Sequence, residues 1–162
     1  MNCVVADAGP LIALAKLELL DIPRRTFGQI LVPQTVLNEC REQVYSRDAM
    51  LIGEAVNSGL IEVRADVPWP EGLREPRLDA GELAALAMAL QSRAGLLIDE
   101  ARGRREAAKL GIKVVGACGL LLFAKREGWI AEVAPLLDRL RSSGYYISPA
   151  LRERVLQQSG EA

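Results

Sequence analysis

Two short apolar runs, residues 3–6 and 96–98, each end on an aspartate, Asp7 and Asp99, and each gives way at once to a helical pattern. Runs this short, with no polar alternation, suit strands buried on both faces, as in a parallel sheet covered by helices. Residues 30–32 and 112–115 are also short, β-branched and bounded by Gly or Pro. Helical spacing fills the intervals. Residues 10–20 carry Leu11, Leu14, Ala15 and Leu17 on one face, and Pro33 opens a segment running to about Val44 as its first helical residue. Further helices are expected over 48–58, 79–92, 100–110, 120–127 and 130–141, and Ser148-Pro149 reads as cap and first turn of a last one. Strands alternating with helices imply crossover units, so the expected class is α/β with a central parallel sheet.

At 162 residues, half of them hydrophobic, the chain suits a single domain spanning 1–162 with one core. Residues 145–162 are expected to form a C-terminal strand and helix extension. The one irregular stretch is 66–78, with Trp69 among Pro68, Pro70 and Pro76, and a loop of that length is often functional.

Composition narrows the chemistry. There is no histidine, which removes most serine or cysteine triads and most histidine acid–base mechanisms. Carboxylates or lysines must then do the work of any enzyme. The three cysteines, Cys3, Cys40 and Cys118, are scattered and read as reduced thiols, and a structural zinc site is not expected. Net charge is −1, so nucleic-acid binding would have to come from a local patch. No apolar run approaches the ~20 residues of a membrane helix. The chain opens strand-like with no basic stretch before it, and the expected location is the cytoplasm.

Two aspartates at the carboxyl ends of neighbouring parallel strands would meet where open α/β sheets bind ligands. Their repulsion is costly unless a cation neutralises it, and oxygen-ligated Mg²⁺ or Mn²⁺ fits that role. Both residues also precede helices and could simply be N-caps. Glu39 sits in a helix among apolar Val36, Leu37 and Cys40. Asp79 and Glu82 have the spacing of a capping box, so either one could be the functional carboxylate. After Asp99 come Arg102, Arg105 and Lys109 at helical spacing, a candidate nucleic-acid-binding face, with Arg24 and Arg25 as a weaker second.

Several segments, in order, resemble one family. They are residues 5–14 around Asp7, 31–39 ending on Glu39, 78–87 around Asp79 and Glu82, 96–100 around Asp99, and 114–125. Together the chain is similar to PIN-domain proteins of the branch near the VapC-type toxins. The resemblance implies a three-layer α/β/α sandwich and an acidic site of Asp7, Glu39, Glu82 and Asp99 binding Mg²⁺ or Mn²⁺. It also implies cleavage of single-stranded RNA, often as a toxin held by a cognate antitoxin, and frequently a homodimer. Leu136, Leu137 and Leu140 could serve such a dimer or simply pack a core. Two positions depart from the family pattern. Ala8 and Leu97 stand where many relatives carry a hydroxyl residue, removing polar support for metal or water. The rival reading is therefore a catalytically inactive nucleic-acid- or protein-binding module on the same fold. A different acidic phosphotransfer enzyme ranks lower, because there is no Asp-x-Asp after the first strand and no Gly-Lys phosphate loop.

Overall fold

A computed structural model of the chain describes residues 2–42 and 46–162. The apolar runs form β1 (Cys3–Ala6), β2 (Gln29–Pro33), β4 (Gly95–Leu97) and β5 (Val114–Val115). Residues 61–64 carry no clear strand pattern, yet they form a further strand, β3 (Ile61–Arg64). The sheet is five-stranded in the order β3-β2-β1-β4-β5, and every pairing is parallel. Val5 sits between Leu31 and Leu96 in register. All three are buried, which is the double-sided burial that a continuous apolar run calls for.

Helices flank the sheet as an α/β sandwich. Between β1 and β2 lie α1 (Ala8–Lys16) and the unanticipated α2 (Ile22–Phe27). Then come α3 (Gln34–Cys40) and α4 (Arg47–Asn57) before β3, α5 (Ala80–Ser92) before β4, and α6 (Ala101–Lys109) before β5. The chain closes with α7 (Ala117–Arg126), α8 (Ala134–Ser142) and α9 (Pro149–Ser159). Leu11 and Leu14 of α1, Ile52 of α4 and Leu86 and Met88 of α5 pack with the strands in the main core. Each such buried side chain is worth about 1.5–3 kcal/mol.

A second apolar cluster joins α1 to the three C-terminal helices through Leu17, Leu121, Leu137, Leu140, Val155 and Leu156. Leu137 and Leu140 are buried there within the chain, and Leu136 packs at its edge. The last tail secures this cluster. Glu161 accepts from the N–H groups of Val133 and Ala134 at the start of α8 and pairs with Lys125.

Several boundaries correct the sequence reading. Pro33 is the last residue of β2 and the N-cap of α3, not its first helical residue, because its extended ψ of 150° belongs to the strand. That helix stops at Cys40, and the expected end at Val44 lies outside the described residues. The helix expected from residue 130 begins only at Ala134, with Pro135 in its first turn. No strand forms at 145–148, where the backbone is irregular before α9. Residues 66–78 are irregular, as expected. The three cysteines are unpaired. Among the described residues no helix is long and apolar enough to cross a membrane.

Candidate active site

The winding of the sheet reverses at β1. Strands β2 and β3 step outward on one side, and β4 and β5 are laid on the other. Such a switch point opens a crevice beyond the carboxyl ends of the strands. Asp7 directly follows β1, and Asp99 follows β4 after one intervening residue, Ile98. The Asp7 N–H donates to the Leu97 carbonyl at 2.9 Å, which fixes both aspartates at one sheet edge. Glu39 arrives on α3, which leaves the same end of β2, and Glu82 arrives in the first turn of α5.

The hydrogen bonds separate capping from other roles. Asp7 holds the N-cap position of α1, yet its side chain makes no capping bond there. Its Oδ1 is buried without a partner among the described residues. Asp99 does not cap the helix after it; Glu100 does, accepting the Gly103 N–H at 2.7 Å. Asp99 instead reaches across the chain. Its Oδ1 accepts the Ala117 N–H at 2.7 Å, and its Oδ2 accepts the Tyr145 hydroxyl. Asp79 is the cap of α5, accepting the Glu82 N–H at 2.8 Å. The Glu82 carboxylate does not return that bond to the backbone, so only half of a capping box forms. Asp7 and Glu82 are the buried charged residues of the described chain, at 8% and 9% exposure.

Burial governs the electrostatics. Asp7 is pushed up to about 7, chiefly by loss of solvent and then by the carboxylates of Asp79, Glu39 and Asp99, against one lowering contact from the Ala8 N–H. Glu82 rises to about 8 through burial, then contact with Asp79, then the charges of Glu100 and Asp7. Glu39 is raised too, by burial and then by Asp79. Glu100 is partly desolvated, yet the N–H groups of Gly103 and Arg102 hold it below the usual carboxylate range. Asp7 is thus within electrostatic reach of Glu39, Asp79, Glu82 and Asp99, at the centre of a spread-out acidic set.

Two glycines make that closeness possible. A side chain at Gly81 would run into the Glu39 carboxylate. A Cβ at Gly116 would stand 2.8 Å from both the Arg104 Nη1 and the Asp99 Oδ1, so its absence lets a guanidinium approach Asp99. Arg104 is held there by donating to the Ile98 carbonyl at 3.0 Å.

Among the described residues no three acidic side chains converge closely enough to hold one ion between them. The donors are nevertheless all oxygens, and the buried Asp7 Oδ1 has nothing else to satisfy it. Such a set fits a hard divalent cation that keeps most of its waters and binds through one or two carboxylates.

The DUF3368 family model, a PIN domain, matches residues 3–161. The chain belongs to the PIN-domain family. That family generally includes nucleases. Among solved structures, a PilT N-terminus domain protein from the hyperthermophilic archaeon Sulfolobus solfataricus is similar in fold. It aligns with a TM-score of 0.51 at 17% identity, over 74% of this chain and 90% of that one. No curated protein matches the chain.

In this PIN domain the two departures from the family pattern have a structural counterpart. Ala8 and Leu97 are buried apolar residues and offer no polar support. Tyr145 and the Ala117 N–H supply support to Asp99 from 46 and 18 residues away. Burial and the Asp99 charge raise the Tyr145 phenol, so it stays protonated and donates. Sequence reading missed Tyr145, because nothing near it marks a partner that distant. The basic residues expected after Asp99 do not form one patch. Arg102 and Lys109 face a cavity under the 66–78 loop, whereas Arg104 and Arg105 face a groove beside Asp99. Arg102 donates to the Arg77 carbonyl, and Lys109 pairs with Glu106. Arg24 and Arg25 are engaged elsewhere, by the Gly59 carbonyl and by Asp21 with the Trp129 ring.

Proposed function

We propose that this PIN domain is a Mg²⁺- or Mn²⁺-dependent endoribonuclease that cuts single-stranded RNA, as the toxin of a toxin–antitoxin pair. The observation that carries the nuclease reading is Asp7. Its carboxylate is buried among like charges with one oxygen unpartnered, an arrangement that costs stability and that a bound cation would offset. The toxin role, the antitoxin partner and the homodimer rest on the family resemblance.

Of Asp7, Glu39, Glu82 and Asp99, Asp7 and one neighbour would hold the cation directly, and the others would reach it through its waters. When bound there it supplies positive charge at the scissile phosphate and acidifies a water. The chain's own groups do the rest. Asp79 fixes the first turn of α5 and so the direction of Glu82. Ala117 and Tyr145 fix the orientation of Asp99. Arg104, beside Asp99, presents a guanidinium to a phosphate oxygen.

The experiment is cleavage of a single-stranded RNA in Mn²⁺ by the parent, Asp7→Asn and Asp99→Asn. Loss of cutting in both variants, with each still folding cooperatively and at least as stably as the parent without metal, supports the assignment. Cutting at the parental rate would show that these carboxylates are not the site.

A second reading has its own observation. Both Asp99 oxygens are already engaged, and no three acids converge among the described residues. A parent inert on every RNA tried in Mn²⁺ would favour a binding module on the same fold.

A further inference from the structure

A groove of about 770 Å³ opens beside Asp99, between α6, the exposed edge at β5, and the helices α7 and α9. Its wall carries Arg104, Arg105 and Arg154, and Asp99 is the carboxylate that lines it. Arg105 and Arg154 are exposed. Among the described residues neither takes part in an ion pair. A chain with a net charge of −1 thus concentrates unneutralised guanidinium groups along one side of its acidic site.

The second feature is Tyr146, which also lines the groove and is 82% exposed. The chain has only three tyrosines, two phenylalanines and two tryptophans, so an aromatic ring left in solvent is a costly use of a scarce residue. Its placement is enforced from both sides. Tyr145 turns inward to Asp99, and Ile147 is buried in the second apolar cluster. With the residues on both sides held inward, the ring of Tyr146 is left facing solvent. Tyr146 therefore stands on anchored backbone next to the site.

We propose that this groove is the track by which a single-stranded nucleic acid leaves the acidic site, with one base stacked on Tyr146 and phosphates held by Arg105 and Arg154. The proposal rests on the nuclease reading for what happens at Asp99, and it adds the direction and chemistry of the strand. Guanidinium groups pair with phosphate oxygens, and an exposed aromatic face stacks an unpaired base whatever its identity. The cavity under the 66–78 loop is the weaker route. Its Lys109 is paired with Glu106, its Arg102 is turned to a carbonyl, and none of the five clustered acids lines it. An acidic peptide would satisfy the arginines, but only one with a suitably spaced aromatic residue would also use the tyrosine face, whereas every base of a single strand offers a ring.

The test is fluorescence anisotropy of a labelled oligouridylate 12-mer with the full chain in EDTA, where metal-dependent cutting is silent. Tyr146→Ala should weaken binding by about fivefold or more with the salt slope unchanged, and Tyr146→Trp should restore it. Arg105→Ala with Arg154→Ala should weaken binding and flatten the slope by on the order of 1.4, two phosphate contacts' worth for a single strand. All these side chains are exposed, so melting temperatures should not move. A duplex of the same length should bind more weakly, because its bases cannot reach the ring. The proposal is overturned if these variants bind like the parent, or if only Arg102→Ala with Lys109→Ala weakens binding. A parent that binds no single strand also overturns it and leaves the groove to a protein partner. Failure here is separable from failure of the nuclease reading. A parent that cuts RNA in Mn²⁺ while Tyr146→Ala binds normally loses only the groove. A parent that binds through Tyr146 and never cuts loses only the catalysis.

Discussion

Asp7 bears a large electrostatic cost. Keeping it ionised at a site where burial lifts it from 3.8 to about 7 costs on the order of 4 kcal/mol. Asp7→Asn removes the charge and keeps the size. Without metal at pH 8 the variant should be more stable than the parent by about 2–4 kcal/mol, read by urea denaturation, whereas loss of a simple helix cap would give no gain. Tyr145→Phe should cost about 1–3 kcal/mol, the value of a hydrogen bond to a charged group, and should lower metal-dependent cutting. Unchanged stability and cutting in Tyr145→Phe would remove the tyrosine from the account. At this scale the sequence showed which acids stand at strand ends, because a strand that stops on Asp before a helix is a local pattern. It could not separate cap from site. That distinction depends on Ala117 and Tyr145, whose contacts with Asp99 span 18 and 46 residues.

Elements deliver these residues, and the entry to α5 is the most constrained of them. Gly81 leaves room for Glu39 to lie against the first turn. Gly81→Ala should displace the mobile end of Glu39 with a stability change within about 1 kcal/mol, since Ala also favours the helix. Metal binding should nevertheless weaken. Parental metal affinity in this variant would place Glu39 outside the site. At the other end of α5, Arg93 holds a left-handed φ of 52°, so Arg93→Gly should stabilise the chain by about 0.5–1 kcal/mol in a thermal melt. The buried strands were legible because they lack alternation. The edge strand β3 was not, because Ile61-Glu62-Val63-Arg64 mixes charge into four residues and leans on β2 for its pairing. The short α2 was hidden by Pro23 inside its first turn, a residue that reads equally well as loop.

Across the whole molecule, the raised acids set a pH dependence. Asp7 and Glu82 titrate higher in the folded chain than in the unfolded one, so the folded state holds more protons between about 4 and 8. Metal-free stability should therefore be highest below that window and fall as pH rises through it. A divalent cation competes with those protons, so its stabilising effect should grow over the same range. A metal-free stability curve that rises from pH 5 to 8 would contradict the folded-state titration. Fold class and parallel sheet were legible at this scale through strand–helix alternation alone. The split of the basic residues between two cavities was not, because it depends on how α6 sits between the 66–78 loop and α9.

If the buried charge of Asp7 is kept to hold a divalent cation, removing that charge must remove the binding. Calorimetric titration of Mn²⁺ into the metal-free chain and into Asp7→Asn, both at pH 8, tests it most directly. Binding to the parent should be saturable and should be lost in Asp7→Asn while the variant remains folded. Equal binding by both proteins, or none by the parent, would contradict it.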